Sequence, residues 1–216
     1  MLGFVEEIVL LQLDDDSGKL AELPLSAADV VLAGAAVMEL ALLNRIDADL
    51  QRLFVVDARP TGDDILDDAL ASLGAAGSEL TASAAIERVT LNARRYRDRA
   101  LQRLVEKGIL RLHEGQFLWV FHTRRYPVVD DREQREVKAR LRQLILTDEI
   151  PGPRDVVLLC LIDACNLLGL VLSADEIAGR RARVEQLSRL DLIGQAVTKA
   201  VGEIRFIIRH ATGPVY

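Results

Sequence analysis

Four aspartates in the pattern Asp63-Asp64-x-x-Asp67-Asp68 are spaced to do chemistry. Separations of three and four place carboxylates on one helical face, where they could hold Mg²⁺. The same acids suit the positive end of a helix dipole, with Asp67 and Asp68 left to solvent. No second acidic helix faces them recognisably. His113, His122 and His210 have no partner at metal-ligand spacing. Cys160 and Cys165 lie five apart in an apolar stretch. On a helix that spacing points them to different sides, which argues against a disulfide and for a reducing, cytosolic setting. There is no glycine-rich phosphate loop and no nucleophile elbow. The sequence points to no enzyme, and it asks for no cofactor and no metal.

Arginine is the other residue type that could act. Arg124, Arg125, Arg132, Arg135, Lys138, Arg140 and Arg142 follow one another closely, and Arg132 and Arg135 share a helical face. Such a group either forms a solvated, salt-bridged helix or captures a phosphate, for which the planar guanidinium fork is suited. Asp131 and Glu133 lie in the same turn and weaken the local potential. Arg94, Arg95, Arg97, Arg99 and Arg103 could instead line the recognition helix of a winged helix.

The net charge of −6 over 216 residues conceals a strong asymmetry. Residues 1–87 hold 4 basic and 17 acidic side chains, whereas residues 88–142 hold 15 and 7. Overall acidity argues against a general nucleic-acid binder, but the basic block leaves room for an anionic partner on one face. No apolar run is long enough to cross a bilayer, and the acidic N-terminus is no signal peptide.

The elements that must position these groups are mostly helical. Half the residues are hydrophobic and only 4% aromatic, with Ala and Leu prominent. Residues 6–13 read as a short apolar helix or strand that stops at a turn ending in Gly18. Residues 27–43 form a helix apolar on nearly every side, capped by Ser26, and therefore central and buried. A hairpin follows, from Ile46 to Val56, and then a helix capped by Thr61 and ending near Gly74. Residues 74–83 read as loop, and residues 86–106 as basic helix, broken near 90–92 and stopped by Gly108. Residues 109–112 and 117–121 flank a turn at 113–116, a second hairpin offset from the first by 63 residues, a weak sign of a repeat. Helices at 131–146, 156–171, 174–190 and 192–208 complete the chain. The expected fold is mainly α, one domain over residues 1–216 around a buried central helix, with two short β-hairpins.

Five fragments in order resemble the Golgi phosphoprotein 3 family. They are Glu6-Glu7-Ile8 with the segment to Gly18; Gly34 with Glu39-Leu40-Ala41-Leu42 and Arg45-Ile46; Thr61-Gly62-Asp63-x-Ile65-Leu66-Asp67-x-Ala69-Leu70; residues 104–110; and Tyr126-Pro127. The resemblance implies a single helical domain. It also implies a non-enzymatic adaptor, because eukaryotic members bind phosphatidylinositol 4-phosphate on Golgi membranes and hold glycosyltransferase tails. In the family, a Trp and an Arg near the first buried helix hold the headgroup together with a basic pair after a His-Pro step. That pair falls at Arg132 and Arg135, with Arg124 and Arg125 beside them, while the Trp and Arg positions carry Pro24 and Ala33, which cannot do the same job. Residues 147–155 look shorter than the family's membrane-inserting hairpin, and the chain is similar to the family's bacterial branch. The resulting expectation is a peripheral protein at a membrane's cytoplasmic face that binds an anionic phospholipid headgroup. The alternatives are a protein-interaction adaptor without lipid binding and a winged-helix DNA binder.

Overall fold

Two helices without a polar face set the architecture. The computed structural model describes residues 2–14, 17–21, 25–48, 52–75, 80–117 and 121–188. Helix α1, Phe4–Gln12, is buried along its whole length, including Glu6, Glu7 and Gln12. Helix α2, Leu25–Leu42, buries Val31, Leu32, Ala33, Ala35, Ala36 and Met38 almost completely. A helix apolar all round is stable only when it is surrounded. Accordingly α2 packs against α1, α3 (Asp64–Gly74), α4 (Ala82–Thr90), α5 (Ala93–Glu106) and α7 (Pro153–Ala164). The expected centre of the fold is therefore the observed one. Its start differs by two residues: α2 begins at Leu25 and not at Ala27, so Ser26 lies inside the first turn and not at the cap.

The fold is mainly α, with two antiparallel two-stranded ribbons among the described residues. The first is as expected, pairing β1 (Ile46–Ala48) with β2 (Leu53–Val55). In the second, β3 is His113–Phe117 and β4 is Phe121–Arg125, so the residues expected as the turn form most of a strand. Tertiary anchoring sets this register. Leu110 bridges Val128, Arg111 N donates to Pro127 O at 3.0 Å, and Val129 N donates to Ile109 O at 2.9 Å. The pairing His113 with Arg125 continues that register to Phe117 with Phe121. Residues 109–111 thus pair with 127–129, and 117 with 121 within the ribbon. The offset repeat fails with it: Phe54 lies in the second strand of its hairpin and Phe117 in the first strand of the other.

Helix α6, Arg132–Leu146, buries Val137, Leu141, Leu144 and Ile145, the expected apolar face. Helix α7 stops at Ala164, short of the expected Val171. Asn166 turns the chain through a left-handed backbone (φ 58°), which Asn tolerates well, and a 3-10 turn follows at Leu168–Leu170. Ser173 caps α8, Ala174–Leu187, in a reciprocal capping box with Glu176. The helix expected at 192–208 lies outside the described residues. Nearly all buried apolar side chains of the described residues form one cluster.

Gly18 joins the N-terminal segment to the second ribbon. Its φ is +63°, its carbonyl accepts the Tyr126 N–H at 2.8 Å, and a Cβ there would lie 2.5 Å from Pro127 N. Both the left-handed backbone and the contact exclude a side chain. Gly18→Ala should therefore cost about 1–3 kcal/mol, read as a lowered denaturation midpoint with unchanged m-value. A midpoint equal to wild type would refute this docking.

Candidate anion-binding site

The arginines at 124–135 hang from one anchored segment. Arg124 and Arg125 end β4, in register opposite Glu114 and His113. The connection that follows is held by Gly18, Ile109 and Arg111 through the bonds above, and Asp130 N also donates to Ile109 O at 3.2 Å. From below, buried Gln134 donates Nε2 to the carbonyls of Leu10 and Leu13, at 2.9 and 3.1 Å. That satisfies carbonyls at the end of α1 and fixes the first turn of α6 against it. Arg132 and Arg135 then face outward, with side chains 81% and 70% exposed.

Neither guanidinium is without a partner. Arg132 Nε lies 2.9 Å from both carboxylate oxygens of Asp130. Arg135 Nη2 donates to Asp131 Oδ1 at 2.7 Å. Asp130 Oδ1 also accepts the Arg132 backbone N–H at 3.1 Å. Hydrogen bonds from Arg132 hold the Asp130 carboxyl down to about 2, so it is ionised at any working pH. Asp130, which sequence reasoning passed over, is thus the acid most engaged with the pair. Its position two residues before Arg132 was the available signal.

The acidic motif has a structural role. Asp63, not Thr61, caps α3, accepting the N–H groups of Ile65 and Leu66 at 2.9 and 3.1 Å. Burial works to raise its pKa, but hydrogen bonds from Arg103 and those N–H groups outweigh this and hold it below the ordinary range. Arg103 also pairs with Asp64, Arg99 with Asp64, and Arg95 with Asp68. Asp67 accepts Thr61 Oγ1 at 2.7 Å, and Asp68 accepts the Tyr96 hydroxyl at 2.8 Å. Asp67 and Asp68 are therefore engaged, where solvation was one expectation. Arg94 lies 3.9 Å from Asp29, so four of the five arginines of the would-be recognition helix face acids. Among the described residues, no group of three or more His, Cys, Asp or Glu is placed to hold a metal. No helix there is long and apolar enough to cross a membrane. Both cysteines are buried and free, and burial pushes the Cys165 thiol up to about 12.

Two features were missed. One is an open trough of about 830 Å³ over the outer face of α5, walled by α3 and by Leu112 and Tyr126. The other is a buried charge cluster. Glu7 Oε1 accepts Arg140 Nη2 at 2.9 Å, and Arg154 lies 3.5 Å from Glu7 and 3.3 Å from Glu39. Burial raises both carboxyls, and the arginines offset it only in part. The signal was a glutamate in each of two largely apolar helices, Glu7 in α1 and Glu39 in α2, since buried charges require partners.

A family model described as Golgi phosphoprotein 3 (GPP34) matches residues 4–204. Vacuolar protein sorting-associated protein 74 of Eremothecium gossypii is 29% identical over 208 residues, covering 80% of this chain and 62% of the relative. The chain therefore spans less than two thirds of that relative's length.

Proposed function

The chain belongs to the Golgi phosphoprotein 3 family, and we propose that it is a non-enzymatic peripheral adaptor, one domain over residues 1–216. It binds an anionic, phosphoinositide-like headgroup at a membrane's cytoplasmic face. Arg132 and Arg135 make the contact, and Arg124 and Arg125 flank it. The observation that carries this reading is the pair of exposed guanidinium groups on an anchored first turn of α6. Both forks are free to meet a phosphate once their local carboxylates swing aside, and exposed ion pairs of this kind cost little to open.

Co-sedimentation with phosphatidylinositol 4-phosphate vesicles tests it. Arg132→Glu with Arg135→Glu should lower the bound fraction at least tenfold at ~0.1 M salt, because two attractive charges become repulsive. Unchanged pelleting would remove these residues from the site.

A second reading, an adaptor that binds protein without lipid, is favoured by the trough over α5. Its walls combine Tyr96, Tyr126 and Val105 with Asp98 and Glu106. Recovery of a specific partner by the lipid-free protein, with no vesicle pelleting, would select it.

A further inference from the structure

The stretch that carries Arg124, Arg125, Arg132 and Arg135 also carries Asp130, Asp131 and Glu133. A face built only to collect negative charge has no use for those acids. Two of them sit directly on the arginines proposed to bind: Asp130 receives Arg132 on both carboxylate oxygens, and Asp131 receives Arg135. Asp130 also lies within electrostatic reach of Arg135.

We infer that Asp130 and Asp131 are specificity-determining residues. By cancelling the outward field of Arg132 and Arg135, they make this face refuse a surface that is merely anionic and admit only a headgroup that takes the guanidinium forks at contact. The inference rests on the reading above that this face meets a membrane.

The physical basis is the different range of the two interactions. A phosphatidylserine surface acts through its potential, summed over all nearby charges and screened within about 10 Å at 0.1 M salt. Four arginines offset by three acids reduce that sum from +4 to +1. A phosphomonoester acts at contact. It brings up to two charges and three acceptor oxygens, enough to replace a carboxylate in a guanidinium fork. The replaced pairs are exposed and local in sequence, so opening them is cheap. Discrimination by an unfavourable element is a common route to specificity.

The test uses Asp130→Asn with Asp131→Asn in the full chain. Asparagine keeps the side-chain oxygen that accepts the Arg132 N–H, so the turn into α6 survives; thermal unfolding checks this. The control, Glu87→Gln with Asp175→Asn, makes the same change in net charge on α4 and α8. Wild type and control should pellet weakly with phosphatidylcholine vesicles containing phosphatidylserine. The Asn variant should partition about tenfold better at ~0.1 M salt and lose that gain as salt rises. No gain in the Asn variant, or an equal gain in the control, would overturn the inference. A parallel arm with phosphatidylinositol 4-phosphate vesicles isolates the underlying reading. If wild type fails to bind there, the lipid function falls, and the phosphatidylserine arm still decides whether these acids suppress adhesion.

Discussion

Arg154→Ala should destabilise the fold by about 3–5 kcal/mol, because it leaves the buried Glu7 and the partly buried Glu39 carboxylates without their shared cation. Arg154 enters α7 at its second residue and reaches back to the N-terminal segment. Its Nη2 donates to Leu2 O at 2.7 Å, its Nη1 meets Glu39 at 3.3 Å, and its guanidinium lies 4.1 Å over the Phe4 ring. Among the described residues Glu7 Oε2 accepts no hydrogen bond, and the Arg154 cation lies 3.5 Å from it. Glu39 retains the Phe4 N–H at 2.8 Å, and Glu7 retains Arg140.

The loss has a pH signature. Burial raises Glu7 and Glu39 above the ordinary glutamate range, so the folded chain binds these protons more tightly than the unfolded chain. Their contribution to stability is fullest below the unfolded pKa and is lost as pH rises through the folded one. Removing Arg154 raises the folded values further. The deficit of the variant should therefore be largest near pH 8 and shrink toward about pH 5, where protonation relieves the stranded carboxylates. Urea denaturation of both proteins at each pH measures it. A deficit under about 1 kcal/mol, or one that grows on acidification, would show that the cluster does not hold α7 to α1 and α2.

Ala33→Arg should prevent stable folding and should not improve lipid binding. The family resemblance implies a headgroup-binding arginine at the position of Ala33, which makes the substitution an obvious attempt at repair. In this fold, however, Ala33 is fully buried in α2, beside Leu32, Ala35 and Ala36, which are equally buried. An arginine there would be overpacked, and its charge would have no partner. The expected cost is about 4 kcal/mol or more, much of a small domain's stability. Thermal unfolding and soluble yield report it. A folded variant with gained phosphoinositide binding would mean that this face of α2 is not enclosed. The headgroup contact proposed here relies instead on the α6 arginines.

How much of this was legible in the sequence depended on range. The burial of α2 followed from apolar residues on every side, and the apolar face of α6 from Val137, Leu141, Leu144 and Ile145 at helical spacing. The first hairpin and the Ser173 cap were equally local. The second hairpin was misplaced because its register is set outside it, by Ile109–Val129 and Leu110–Val128 pairing, while Gly115 inside the strand imitates a turn. Asp63, and not Thr61, holds the cap through the N–H groups of Ile65 and Leu66, and an arginine forty residues away, Arg103, also binds it. Pro24, the other position expected to depart from the family's pattern, lies outside the described residues.

By itself, the sequence determined the helical class, the buried centre, the family and the supply of arginines. These depend on residue type and on spacings of two to four, which the chain carries locally. Only the tertiary structure decided which charges are left to act. Glu7 finds Arg140 across 133 residues, and α3's acids find Arg95, Arg99 and Arg103. Among the described residues, the ion pairs of Arg132 and Arg135 are with Asp130 and Asp131, two and four positions away. Charge pairing is decided by which elements pack together, and a residue's partner across the core leaves no trace in its own neighbourhood of the chain.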